Sequence, residues 1–330
     1  MTDSAPQHLF VAGLHRSGTT LLARWIADHP AVSGLSGTGT MLDEGQFLQD
    51  VFPSDVEHGG PGRFGFDPRA HLTENAALLS AHNRETLQSQ WAKYWEPGKL
   101  LWLEKSPSNI LRARFLQAIF PEARFVFLLR HPIAVTLATH KWSQTSFFSL
   151  IAHWVHVHQL HKQDLQYLNH WLVMAYESLI YAPEAATQRL QDFLDLRSPL
   201  HSLKLDPDCN QRYFTSWQTL FAPQPHFRSI GDPVGMQPRP SPDPWSADFT
   251  ASSRYSYRWW KQWIKCQALR VGFGNTRLLA AMDREAQDAI AHFESDVRSF
   301  GYSLLDTDVF PAPVQSGGAA QEGAKKLQSS

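Results

Sequence analysis

The stretch Gly13-Leu14-His15-Arg16-Ser17-Gly18-Thr19-Thr20 brings together residue types suited to holding an anion. An apolar run, Leu9 to Ala12, leads into it as a short buried strand. Behind it, Leu21, Leu22, Trp25 and Ile26 share one helical face before a stop near Pro30. Strand, glycine turn and helix N-terminus aim several backbone N–H groups at one point, a geometry that binds phosphate. The glycine spacing is that of the G-x-x-x-x-G-K-[ST] loop of ATP- and GTP-binding proteins. Here Thr19 stands at the lysine position, and a cation comes earlier, at Arg16. A nucleotide phosphate is expected, without the usual triphosphate machinery; the plainer alternative is a glycine turn used only for packing.

Arg130 marks a second anion site. It ends the most apolar run, Phe125 to Leu129, and His131-Pro132 begin a new helix after it. Ligands of open α/β sheets bind beyond the carboxyl ends of the strands. Two anion sites on that edge suit a nucleotide phosphorylated at two separate positions, although a strand-terminal arginine also commonly pairs with a carboxylate.

The elements that must position these residues are legible as alternating runs. Strands are expected at Leu9–Ala12, Leu100–Leu103, Arg124–Leu129 and Trp171–Tyr176. One helix starts with Ser106 as N-cap and Pro107 at its first position, then runs through Ile110, Leu111, Phe115 and Ile119 to a stop before Pro121. Another opens at Pro183 and buries Ala186, Leu190, Phe193 and Leu194, and two more are expected around 258–269 and 276–300. The alternation predicts a three-layer α/β fold, a central parallel sheet with helices on both faces. Residues 1–310 are expected to form a single domain. Within it, 206–250 is proline-rich with little periodicity, a candidate substrate lid. The Gly/Ala/Gln/Ser-rich tail, 311–330, is expected to be disordered.

Composition narrows the function classes. The 330 residues are 43% hydrophobic and carry a net charge of −1, enough for a full core and with no bulk electrostatic signal for nucleic acid or a membrane surface. Two cysteines, Cys209 and Cys266, exclude a disulfide scaffold and leave a reducing compartment unopposed. The short polar stretch Met1–Gln7 is no signal peptide, and no run approaches the ~20 apolar residues of a membrane span, so a cytoplasmic protein is expected. Twelve tryptophans and twenty phenylalanines suit a pocket as well as a core. The Trp259, Trp260, Trp263 and Ile264 stripe has the spacing of one buried helix face. His153, His156, His158 and His161 invite a metal reading, but they do not share one helix face and no cysteine completes a site, so no metal is expected.

With these motifs in order, the chain resembles the sulfotransferases that use 3′-phosphoadenosine 5′-phosphosulfate (PAPS), most closely in the style of the tyrosylprotein and bacterial branches. Gly13–Leu22 is similar to their 5′-phosphosulfate loop and Phe120–Pro132 to their 3′-phosphate segment. Tyr176-Glu177-Ser178-Leu179 with Pro183-Glu184 and Phe193-Leu194 resembles their Y-E-D-L…P-E…F-L signature, and Glu104-Lys105-Ser106-Pro107 their K-x-P box. The resemblance covers residues 9 to about 196 and recurs weakly near Arg298–Leu304. It implies that Arg16, Ser17, Gly18, Thr19 and Thr20 hold the 5′-phosphosulfate, that Arg130 holds the 3′-phosphate, and that Tyr176 lies against the adenine. Eight residues after the arginine, where the family has a serine, this chain has Ala138; Thr139 is the substitute within reach, unless the His131 side is rearranged.

Sulfuryl transfer from such a donor is expected to rest on positioning and electrostatic stabilisation, with no metal required. Arg16 and Lys105 are the candidate cations near the departing bridge oxygen, and His15 a candidate donor to the sulfuryl oxygens. A hydroxyl acceptor needs a base. The family resemblance points to a glutamate after the second strand, and Glu44 stands at a matching distance; the plainer alternative is that Asp43 and Glu44 cap a helix beginning at Gln46. His15, Asp43 and the histidines of 153–161 are the other candidates for the base. The acceptor is a small molecule, a saccharide or a peptide tyrosine. Two rival readings stand beside this one: a kinase-like phosphotransferase, disfavoured by Thr19, and a non-catalytic PAPS-binding sensor, disfavoured by Glu44 and Lys105. Oligomeric state is not legible.

Overall fold

The computed structural model of the chain describes residues 6–143, 145–201, 203, 205–221, 276–311 and 314–317. In β1 (Gln7–Gly13), Leu9 and Val11 face one side and Phe10 and Ala12 the other, and all four are fully buried, as the two-residue period of a strand dictates. A strand apolar on both faces needs cover on both, and β1 sits in mid-sheet. The strands are β2 (Val32–Gly34), β3 (Leu101–Lys105), β4 (Arg124–Leu129), β5 (Trp171–Ala175) and β6 (Val314–Gly317), in the spatial order β2-β3-β1-β4-β5-β6. The first five in sequence run parallel, and β6 pairs antiparallel with β5.

Helices cover both faces. In chain order they are α1 (Thr19–Ala27), α2 (Ala81–Trp91), α3 (Ala113–Ile119), α4 (Pro132–Ser143), α5 (Phe147–Asp164), α6 (Tyr176–Tyr181), α7 (Pro183–Leu194), α8 (Gln211–Phe221) and α9 (Thr276–Arg298). Leu22, Trp25 and Ile26 of α1, with Ala186, Leu190 and Leu194 of α7, pack on Leu9, Val11, Val126 and Leu128. Across the sheet, Phe115, Ile151, Trp154 and Phe293 pack on Phe10, Phe125 and Phe127. Each such apolar side chain taken from water contributes roughly 1.5–3 kcal/mol. The expected three-layer α/β architecture is what the chain adopts.

Several local expectations are corrected. Ser106 makes no capping bond, because its hydroxyl is engaged by the buried Glu104 carboxylate instead. The expected single helix from 106 to 120 is split into a 3₁₀ turn, Pro107–Leu111, and α3, with the break at Arg112 (φ −123°, ψ 2°). The guanidinium of Arg112 is fully buried and donates to Ser108 Oγ and the Pro53 carbonyl. Phe193 is half-buried rather than buried. Within the stretch expected to lack periodicity, α8 buries Tyr213, Phe214 and Trp217, one face of a regular helix. In the tail expected to be disordered, residues 314–317 form β6. The helix expected over 258–269, its tryptophan stripe, and residues 222–250 of the proposed lid lie outside the described residues.

Candidate functional site

Register places the chemistry on one edge. Val11 pairs with Lys105, Gly13 with Leu128, and Leu129 with Ala175. Lys105, the loop after Gly13, Arg130 and Tyr176 therefore follow one another along the carboxyl ends of β3, β1, β4 and β5.

The loop is shaped by two glycines. At Gly13 a side chain would drive a Cβ to 2.5 Å from the Leu128 carbonyl oxygen. Gly18 is left-handed (φ 100°), and a Cβ there would lie 2.9 Å from the Tyr176 ring. The first turn of α1 begins at Thr19 and carries no acidic residue, so the positive end of the helix faces the loop uncompensated. Arg16 is itself left-handed (φ 69°); its exposed guanidinium lies 5.3 Å from the centre of the Trp142 ring. Ser17 is fully buried, and its Oγ has no partner among the described residues.

Beside the loop, Lys105 Nζ lies 2.8 Å from Glu44 Oε1, and both side chains are 4% exposed. Gln46 Nε2 donates to Glu44 Oε2 at 2.7 Å. Glu44 caps no helix: only a 3₁₀ turn, Gly45–Phe47, follows, without a side-chain cap. Asp43 Oδ1 accepts from the Thr38 N–H and hydroxyl, which hold its carboxyl below the usual range. The backbone that brings Glu44 inward is strained, since Leu42 (φ 55°) and Asp43 (φ 52°) are both left-handed without being glycine. The Leu42 carbonyl accepts from Lys105 Nζ at 3.3 Å. Glu104, one residue before Lys105, points to the other side of the strand and is fully buried. It receives the Gly45 N–H, Ser106 Oγ and Asn109 Nδ2, and burial pushes its carboxyl up to about 7.

His15 does not reach toward the anion loop's mouth as expected. Its Nε2 lies 2.7 Å from Asp55 Oδ2, and its Nδ1 is buried without a partner among the described residues. Burial alone would lower the imidazole, but the Asp55 carboxylate outweighs it and the net shift is upward.

Arg130 donates to Asn210 Oδ1 from both Nε (2.8 Å) and Nη2 (2.7 Å), and from Nη1 to the Arg16 carbonyl at 2.8 Å. Its guanidinium lies 4.3 Å from the centre of the Tyr176 ring. Asn210 in turn donates to Glu177 Oε1, which also receives the His131 N–H, and Tyr302 Oη donates to Glu177 Oε2 at 2.9 Å. Tyr176, expected against an adenine, is instead 4% exposed between Gly18 and Arg130, so it supports the arginine. Thr139 does not stand in for the family serine. It lines a cavity with Leu14, His15 and Gly62, its Oγ1 buried without a partner among the described residues, while Ala138 and Ala134 pack on Tyr213 of α8. The His131 side supplies no ligand either, because burial pushes this imidazole down to about 3 against Phe214 and Tyr302.

Of the histidines on α5, His153, His158 and His161 belong to the core, and the half-buried His156 stacks on Phe66. His153 Nε2 accepts the Gly65 N–H at 3.1 Å, and His158 Nδ1 bonds the Trp154 carbonyl. His161 packs on Phe127, and burial lowers all three. Among the described residues no three potential metal ligands gather, and no described helix is long and apolar enough to cross a membrane. Asp55, Glu104, Asn210 and Glu177 were not singled out for these roles from the sequence. A carboxylate at position 104, after the apolar Leu101-Trp102-Leu103 of β3, was the one signal that pointed inward.

A family model described as the sulfotransferase family matches residues 6–199. A Caenorhabditis briggsae protein named "Putative protein-tyrosine sulfotransferase" is 27% identical over 236 residues, covering 66% of this chain and 78% of that protein. Among solved structures, the sulfotransferase domain from the curacin biosynthetic pathway is 16% identical with a TM-score of 0.39, covering 68% of this chain and 94% of that one. The sulfotransferase from Alicyclobacillus acidocaldarius is 15% identical, also at 0.39, covering 66% and 93%. Structural likenesses this loose carry no weight for the site. The matched stretch runs from the start of β1 to beyond α7, more than half of the molecule, and on that match the chain belongs to the sulfotransferase family.

Proposed function

We propose that the protein transfers the sulfuryl group of PAPS to a hydroxyl of a small molecule, a saccharide or a tyrosine. The observation that carries this reading is the buried Glu44–Lys105 pair, 2.8 Å apart, whose lysine ends the strand next to the one leading into the anion loop. In this reading the acceptor oxygen attacks sulfur in line with the sulfur–oxygen bond to the 5′-phosphate. Glu44 takes the hydroxyl proton as the new bond forms. Lys105, released from Glu44 as that carboxyl is protonated, turns its ammonium to the bridge oxygen as negative charge develops there.

The loop supplies the rest of the donor site. The α1 N-terminus with Ser17, Gly18, Thr19 and Thr20 holds the 5′-phosphosulfate, and a buried hydroxyl left unpaired at Ser17 suits an arriving donor oxygen. Arg16 adds an exposed cation. Arg130 holds the 3′-phosphate, and a guanidinium fixed by a neutral amide and an aromatic ring keeps its charge for such a ligand. The name of the Caenorhabditis relative favours a tyrosine hydroxyl among the acceptors.

A thermal-shift panel with adenosine 3′,5′-bisphosphate, AMP and ATP with and without Mg²⁺ tests the donor. The bisphosphate should stabilise the protein most, by ~2.7 kcal/mol at about 100 times its dissociation constant. ATP with Mg²⁺ as the best ligand would sink the reading in favour of phosphoryl transfer.

A further inference from the structure

His15 is conspicuous for what it does not face. It lies in the anion loop, one residue before the exposed Arg16, yet its ring is turned inward. Nε2 meets Asp55, a carboxylate only 2% exposed. His15 also lines a small cavity, with Leu14, Gly62, Val135, Thr136, Thr139, Leu150 and His153. Three polar atoms of these residues are buried without a partner among the described residues: His15 Nδ1, Thr136 Oγ1 and Thr139 Oγ1. The cavity offers about 10 Å³ to the centre of a water molecule, the room of a single water, and three unpaired polar atoms on the residues around it match the usual coordination of a buried one. Unpaired, each of these groups would carry a desolvation penalty.

We propose that His15 is a charged positioning residue, clamped between the Asp55 carboxylate and a buried water shared with Thr136 and Thr139, and that it tunes donor binding without touching the donor. The proposal rests on the reading of the loop as the phosphosulfate site. The clamp joins four segments at one point: the loop, the 55–66 segment, α4 and α5. It also fixes the chemistry of the ring. Nε2–H donates to Asp55, so the proton that comes and goes is the one on Nδ1.

The charged groups facing His15 are Asp55 and Glu44, which favour the imidazolium, and Lys105, which opposes it; His153 from α5 stays neutral. Arg112 stands behind Asp55 and helps keep it ionised. While His15 is charged, the pair with Asp55 is balanced and its positive end lies nearer the loop. Once Nδ1 loses its proton, Asp55 is left as an uncompensated negative charge near the bound anion. A raised imidazole keeps its proton below its ordinary value of 6.5 and gives it up only at higher pH, so anion affinity should fall on the alkaline side.

The test is calorimetric titration of the full chain with adenosine 3′,5′-bisphosphate from pH 6 to 9, comparing the protein with His15→Gln, Asp55→Asn and Thr139→Val. The ligand's own ionisation is common to all four. Relative to His15→Gln, the unaltered protein should lose about tenfold in affinity across this range. Asp55→Asn should move that loss to lower pH, and Thr139→Val, which removes one partner of the water at nearly constant volume, should do so to a smaller extent. Parallel profiles for the unaltered protein and His15→Gln, with tight binding throughout, would overturn the role of His15 and leave the donor site standing. No binding by any of them at any pH would overturn the donor reading and this proposal with it. If a variant fails to fold, ¹⁵N-resolved titration of the His15 ring in the unaltered protein decides the matter. A midpoint above 6.5 supports the clamp, and one at or below it overturns it.

Discussion

On the β3 side of the sheet edge, Lys105 meets the Glu44 carboxylate in a buried pair and the half-buried His15 meets the buried Asp55, at 2.7–2.8 Å. On the β4 side, Arg130 meets the Asn210 amide, a backbone carbonyl and an aromatic ring. A carboxylate, Glu177, stands one residue further back, behind Asn210. The two sides spend their charges differently. A buried pair can exchange a proton internally and so suits groups that change state during a reaction. A cation held by neutral partners keeps its full charge and suits an anion brought from outside.

The sharpest way to break this contrast is Glu44→Gln. It keeps the shape and the contact to Gln46 but removes the proton acceptor. Turnover should fall by about 10² to 10⁴, with bisphosphate affinity changed by no more than about threefold, since the donor contacts lie elsewhere. Steady-state kinetics beside calorimetry reads both; near-normal turnover would move the base away from Glu44.

Glu104→Gln probes what lies beneath the paired side. With its folded value near 7 and its ordinary value at 4.5, the native protein binds more protons than the unfolded chain between these two pH values. Stability owed to this group is therefore lost as pH rises from 4.5 to about 7. The glutamine variant lacks that loss, so its stability relative to the unaltered protein should improve by about 3 kcal/mol across this window. Urea unfolding at pH 4.5 and 7.5 measures it. A difference that does not change with pH would show that Glu104 is ionised throughout.

On the β4 side, Arg130→Ala should remove most of the preference for adenosine 3′,5′-bisphosphate over AMP, about ten- to a hundredfold, or roughly 1.5–3 kcal/mol. Arg130→Lys should recover part of it, because the charge survives while the fork to Asn210 does not. An unchanged preference in the alanine variant would make this side structural and erase the contrast.

The same two sides differ in how well they could be read in advance. The loop, the parallel sheet and Arg130 were legible because each is a local pattern: glycines where a backbone carbonyl or a ring comes too close for a side chain, and apolar runs of strand length. The partners were not. Asp55 lies 40 residues from His15 and Asn210 lies 80 from Arg130, and no spacing rule links residues that only the fold brings together. Thr139 was misread for a related reason. Adjacent positions on a helix point about 100° apart, so the neighbour of Ala138 faces His15, away from Tyr213. β2 and β6 were missed because three- and four-residue strands hold too few positions for a period to register.

Leu42 and Asp43 carry a further consequence. Their left-handed backbone costs on the order of 1–2 kcal/mol per residue, while the Leu42 side chain is half in solvent and contributes little packing. Glycine at position 42 would remove most of that cost in the folded state. A search for variants that melt at higher temperature could therefore select this position, two residues from Glu44. The same change would free the peptide whose carbonyl steadies the Lys105 ammonium. Hardiness and turnover would then pull in opposite directions at one residue, and a screen that scored only the first would pick the slower protein.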